Sequence, residues 1–140
     1  MEIGGFIISG NDPKDVLIRA RGPALASPPF NVPGTLANPF LQIFSGLTMI
    51  AQNDNWQNQT DTTCLANGYT CGTATQISNA TFNGNSLSPC APNPGQGGAP
   101  PNCSNESAIL ITLPAGAYTA IVSGVGGTSG VGLVEAFELP

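Results

Sequence analysis

Histidine is absent from this chain, and basic residues number three: Lys14, Arg19 and Arg21, all in one short segment. Without histidine, the commonest general acid–base and the commonest nitrogen ligand for zinc are both missing. Three cations so placed cannot neutralise a run of phosphates, which argues against nucleic acid as a partner. No apolar run approaches the roughly 18 residues of a membrane-spanning helix, so no membrane span is expected. The opening Met1-Glu2-Ile3 also lacks the basic and apolar regions of a signal peptide, so for an exported chain either a leader has been cleaved or the start has been trimmed.

Charge of either sign is scarce: 8% of residues, against about 25% in an ordinary soluble domain. The surface must then be built from neutral polar groups, and asparagine, serine and threonine supply 13, 10 and 12 residues. So weakly charged a surface has little repulsion to keep copies apart, although the net charge of −5 still gives some, and it suits dense packing or a coat of glycans. Eighteen glycines and 13 prolines argue against long helices and for short strands joined by turns. At 140 residues the length fits a single domain, 1–140, with a core of its own.

Strand signals run through both ends of the chain. Ile3–Ser9 is a short apolar strand stopped by Gly10-Asn11-Asp12-Pro13, and Asp15–Arg21 follows, with Val16, Ile18 and Ala20 on one face and Leu17, Arg19 and Arg21 on the other. These two read as a hairpin. Prolines 28, 29, 33 and 39 make residues 24–39 coil with at most one helical turn. Phe40–Phe44 and Thr48–Ala51 flank a Ser45-Gly46 turn, Ala108–Thr112 is a further strand, and Ala117–Val122 with Val131–Leu139 reads as a closing hairpin. Seven or eight such strands without a helical period predict an all-β fold, an antiparallel β-sandwich of jelly-roll or Ig-like type.

Residues 57–104 differ in character, being rich in Asn, Thr, Gly and Pro and holding all four cysteines. A loop this long must be partly stranded or covalently tied. Six residues separate Cys64 from Cys71 and twelve separate Cys90 from Cys103, so local pairing, Cys64–Cys71 and Cys90–Cys103, is chosen among three formal connectivities. A zinc site is disfavoured, since there is neither a histidine nor a Cys-x-x-Cys. Disulfides imply an oxidising compartment, hence a secreted, extracellular or cell-surface protein. Asn58, Asn79, Asn102 and Asn105 each open an N-glycosylation acceptor pattern.

Candidate sites are few. Asn53-Asp54-Asn55 offers oxygen ligands for Ca²⁺, the one cofactor the chain invites; the simpler reading is an Asx-turn with Trp56 folded over the sheet edge. Glu135 shares a strand face with Val131, Leu133, Phe137 and Leu139, so it is expected to be partly buried and paired in a structural ion pair with Arg19 or Arg21. Glu138 falls on the opposite face of that strand, so the two cannot act as a facing carboxylate pair. Asp54 and Asp61 are the remaining acids for hydrolysis, no serine has a partner base, and no enzymatic activity is expected.

The stretches GGFIISGNDPKDVLIRARGPAL, VPGTLANPFLQIF, NDNW and ESAILITLPAGAYTAIVSGVGGTSGVGLVEAFEL resemble a repeated β-sandwich module of large secreted bacterial surface proteins. The closing part is also similar to bacterial pre-peptidase C-terminal domains, non-catalytic jelly-roll appendages. The resemblance covers nearly everything outside the cysteine-rich insert, and it implies fold and export. Tandem copies of that module carry an upstream strand-like segment before GGFII, so an unpaired sheet edge is expected here. Ile3, Phe6, Ile7 and Ile8, with Val131, Leu133, Phe137 and Leu139, are then the candidate assembly strands, exchanged or docked between copies with the insert decorating the outside. The expectation is a self-assembling structural subunit of an extracellular fibre. The rival is a carbohydrate-binding or adhesive module presenting Trp56, Tyr69 and the Asn-rich loops to a glycan.

Overall fold

A computed structural model describes all 140 residues and shows an antiparallel β-sandwich. Its strands are β1 (Glu2–Ile8), β2 (Lys14–Arg21), β3 (Pro39–Ser45), β4 (Thr48–Asn53), β5 (Thr70–Cys71), β6 (Thr81–Phe82), β7 (Asn85–Ser86), β8 (Ser107–Leu113), β9 (Gly116–Gly124) and β10 (Leu133–Glu138). Two short helices, α1 (Thr63–Ala66) and α2 (Ala74–Asn79), lie in the insert. One sheet has the order β1-β9-β3-β4 and the other β10-β2-β8-β5. No helix is long and apolar enough to cross a membrane.

Two expected hairpins do not form. β1 pairs with β9, and β2 pairs with β10 and β8, so the first two strands lie in different sheets. β9 and β10 likewise part company, and of the long strands only β3 and β4 form a hairpin, with a bulge after Ile43. Turn chemistry reverses the chain equally well within a sheet or between sheets, and burial decides which. Crossing lets β1, β2, β9 and β10 each turn an apolar face to one shared core, whereas local hairpins would leave the sheets unconnected. Successive strands that alternate between sheets wind the chain in the manner of a jelly roll.

The core between the sheets is built from the inward positions of each strand: Val16, Ile18 and Ala20 from β2, Leu41 and Ile43 from β3, Ile109 and Ile111 from β8, Ala120 and Val122 from β9. Phe6 stacks on Tyr118 at 5.7 Å and seals the β1 end. A second, smaller core lies on the outer face of the β2 sheet, where Leu17, Ala108 and Phe137 meet Trp56, Ile77, Ala80 and Leu87. β2 is thus buried on both faces.

The insert is therefore a cover and not a decoration. Thr73 and Gln76 cap α2 reciprocally, with Thr73 N–H donating to Gln76 Oε1 at 2.8 Å, and the helix delivers fully buried Ile77 to the sheet. Asn83 and Gly84, both at positive φ, make the tight β6–β7 turn. Disulfides join Cys64 to Cys71 and Cys90 to Cys103. Removing the second, by Cys90→Ser with Cys103→Ser, is expected to cost about 3 kcal/mol, because a loop of this length is no longer closed in the unfolded chain. Urea unfolding of the variant against the oxidised protein checks this.

Candidate functional site

The β1 sheet presents an outer face with no core cluster against it, most open at β1 and bordered by the insert near Phe40 and Gln52. Inward residues of β1 are Gly4, Phe6 and Ile8, which leaves Ile3, Gly5 and Ile7 outward; the registers place Ile7 beside Ala117, Gly5 beside Thr119 and Ile3 beside Ile121. β3 adds Phe40, Gln42 and Phe44, and β4 adds Met49 and Gln52. Ile3 is 61% and Ile7 77% exposed. Across the four strands of this sheet Glu2 is the only acidic or basic residue, whereas β2 and β10 alone carry Lys14, Asp15, Arg19, Arg21, Glu135 and Glu138. β2 and β10 thus hold six of the eleven charged residues, three of each sign.

The edges of the two sheets are unequal. At the far end of the β1 sheet, Asp61 accepts the Gln52 N–H of β4 at 3.2 Å, and α1 packs against that strand. At the far end of the other sheet, β5 is only two residues long. β1 and β10 are the opposite edges, and they lie side by side, since a Cβ on Gly4 would collide with Val134 Cγ1 at 2.9 Å. β1 has none of the lysine, proline or cover that blunts an edge.

The candidate assembly residues separate accordingly. Ile3, Ile7, Val131 and Leu133 are exposed, and Val131 stands outside β10 in a single parallel bridge to Thr35. Phe6 and Ile8 point inward against the main core, while Phe137 and Leu139 pack into the second core, so these four are not surface contacts. Strand alternation separates the two sets on β1.

Beneath the insert, Arg19 donates from Nη2 to Glu135 Oε1 at 2.8 Å and from Nη1 to Leu87 O at 3.0 Å, with its guanidinium 5.0 Å from the Phe137 ring centre. Its Nε has no partner. Burial lowers the Arg19 pKa, Arg21 adds to that, and Glu135 opposes it. Arg21 donates to Glu106, a carboxylate with no exposure that also accepts Gly22 N–H at 2.7 Å. Desolvation pushes the Glu106 carboxyl above its ordinary range, with Arg21 and Gly22 pulling it back. The Arg21–Glu106 pair was not anticipated. Its signal was the second arginine on the Arg19 face of β2, which needed an acid of its own.

In the Asn53-Asp54-Asn55 segment, Asn53 is buried and committed. It donates to the carbonyls of Asn55 and Asn58 at 3.1 and 3.2 Å and accepts Ala108 N–H at 3.1 Å, which joins β4 to β8. Asn53 is therefore not a metal ligand. Trp56 is 4% exposed and donates to Cys103 O at 3.2 Å, so it offers no face to a sugar. Tyr69 is half-buried beside a hollow of about 600 Å³ lined by Gln57, Asn58, Gln59, Thr60 and Thr70. Asn58, Asn79 and Asn102 are exposed, but the hydroxyl of Ser107, which completes the pattern at Asn105, is buried and donates to the carbonyls of Pro39 and Asp54. Asp61 is bonded through both oxygens, to Gln52 N–H and to Thr63.

Comparison with family models, curated proteins and solved structures returns no match.

Proposed function

We propose that this protein is a non-enzymatic, secreted structural subunit that assembles with copies of itself into an extracellular filament or surface fibre. The observation that carries this reading is the bare outer face of the β1 sheet, apolar and almost free of charge, which ends in an unprotected edge strand. Exposed apolar area of this kind marks interaction sites, and an open edge is a template for another strand. Two disulfides support an oxidising, extracellular setting. The resemblance to modules of bacterial surface proteins agrees with it.

The geometry favours exchange of β1 over edge docking as the route to a fibre. Edge docking through β1 and β10, which share one side, closes two copies into a symmetric pair. Exchange uses two different surfaces: the β1 that leaves one copy fills the place beside β9 in the next, restoring the same seven pairings and the Phe6–Tyr118 stack. Such head-to-tail links run on without closing. Negative-stain electron microscopy with light scattering on the oxidised protein tests this. Filaments are expected; discrete dimers would replace exchange with edge docking, and a monomer at high concentration would overturn assembly altogether.

A second reading, a carbohydrate-binding or adhesive module, draws on the amide- and hydroxyl-lined hollow beside Tyr69. It calls for retention on a glycan array that Tyr69→Ala abolishes.

A further inference from the structure

A hollow of about 680 Å³ opens where the insert meets the loop between β2 and β3, and its size is that of a small-ligand pocket. Its floor is the outer face of β2 and β10, with Arg19, Arg21 and Glu135; its rim includes Phe30, 48% exposed, and Ser88 and Asn93 of the insert. These walls are tied together. Asn93 donates from Nδ2 to the carbonyls of Ala24 and Pro28, both at 3.0 Å, Val32 N–H donates to Leu25 O at 2.8 Å, and the Cys90–Cys103 disulfide closes the segment that carries Asn93.

Polar groups on this hollow are left without partners. Arg21 Nη1 makes no hydrogen bond, Glu135 Oε1 standing 4.0 Å away. Glu135 gives Oε1 to Arg19 and leaves Oε2 free, and Asn93 commits both Nδ2 hydrogens and leaves Oδ1 free. Ser88 is held through its N–H, on Ser86 Oγ at 3.2 Å, and its hydroxyl is unbonded. None of these atoms is sealed in, since Arg19 Nε is the one buried side-chain polar atom without a partner. They face space that a ligand can enter.

The chemistry of the free groups selects the ligand. A guanidinium hydrogen that only donates stands with two oxygens that only accept and a hydroxyl that does both. A carboxylate would set further acceptors against Glu135 Oε2 and Asn93 Oδ1, and an ammonium would face Arg21. Net charge points the same way: Arg19 and Arg21 are matched by Glu135 and Glu106, which leaves a charged ligand no net attraction. A hydroxyl donates and accepts from one atom, so a neutral polyol satisfies both kinds of group, and the Phe30 ring offers an apolar wall to the C–H face of a sugar ring.

We propose that this hollow binds a neutral saccharide, whose hydroxyls donate to Glu135 Oε2 and Asn93 Oδ1 and accept from Arg21 Nη1, with Ser88 serving either way and a ring face against Phe30. The site is separate from the hollow beside Tyr69, and it holds whether or not the subunit assembles.

The test is isothermal titration of the oxidised protein with cellobiose, maltose, lactose and diacetylchitobiose, with digalacturonic acid and chitosan disaccharide as charged controls. At least one neutral disaccharide is expected to bind with a Kd at or below about 1 mM, and the charged controls at least about tenfold more weakly. Phe30→Ala is expected to weaken binding about tenfold through the lost ring contact, and Ser88→Ala about three- to tenfold through one hydrogen bond, whereas Tyr69→Ala leaves it unchanged. Amide chemical-shift changes in the unaltered, isotope-labelled protein, centred on Ser88 and Asn93, locate the site should a variant fail to fold. Saturable binding of no neutral disaccharide, equal binding of a charged control, binding that survives Phe30→Ala, or shifts centred on Tyr69 would overturn the site.

Discussion

Replacing Arg21 with methionine is expected to cost about 3–5 kcal/mol at neutral pH, the range for breaking a buried ion pair by removing one partner. Methionine fills much of the arginine volume, so the loss is electrostatic. Glu106 has no exposure and no other cation in bonding distance; the backbone N–H groups of Gly22 and Ala24 are its remaining donors. Left without Arg21, the carboxylate must either stay charged in an apolar surround or take up a proton. The sign of the pH dependence follows. Burial already raises the Glu106 pKa in the folded protein, and Arg21 is the largest influence holding it down. In the variant the folded pKa rises further above the unfolded value of about 4.3. A raised carboxyl pKa means that the group's contribution to stability is fully present below the unfolded pKa and lost as pH climbs through the folded one. The deficit of Arg21→Met relative to the parent should therefore shrink as pH falls from 7 towards about 4. Urea unfolding of both proteins across that range checks it. A deficit that is small and flat with pH would mean that Glu106 finds another partner.

This pair also illustrates what could be read in advance. The alternation of β2 correctly separates Val16, Ile18 and Ala20 from Leu17, Arg19 and Arg21. Alternation alone does not tell that the second face is buried too, because the insert that covers it lies some forty to ninety residues further on, with its apolar residues dispersed among Asn, Thr and Gly. Glu135 was legible because it shares a strand with Phe137 and Leu139. Glu106 was not, since it lies in a turn with no period of its own. Strand pairing failed for a similar reason: Gly10-Asn11-Asp12-Pro13 and Pro114-Ala115-Gly116 state that the chain turns, not which sheet it turns into.

The distribution of charge has its own consequence for assembly. Lys14, Arg19 and Arg21 balance Asp15, Glu135 and Glu138 on β2 and β10, whereas Asp54 and Asp61 lie beside β4. Copies that meet through the β1 end of the other sheet bury Ile3 and Ile7 away from those two acids.

The double substitution Ile3→Lys with Ile7→Lys is accordingly expected to abolish filament formation while leaving the fold intact. Both side chains point away from the core and are largely exposed, so each change should alter folding stability by no more than about 0.5 kcal/mol. Where copies also pack through the outer face or the β1 edge the effect on assembly is far larger, because two ammonium groups would have to be desolvated in each such contact, and lysine on an edge strand is a device that natural sheets use against pairing. Leu65→Lys is the control: Leu65 is 79% exposed but sits on α1, at the opposite end of the β1 sheet. Electron microscopy and sedimentation should show filaments for the parent and for Leu65→Lys, and monodisperse particles for the double variant with an unchanged urea midpoint. Filaments of ordinary length from the double variant would remove the outer face and its β1 edge from the contact and leave exchange of β1, which keeps both side chains outward beside β9, as the sole link. If exchange of β1 is the link, Phe6→Ala should weaken the subunit and the fibre together, since in either setting the ring packs against a Tyr118 beside β1.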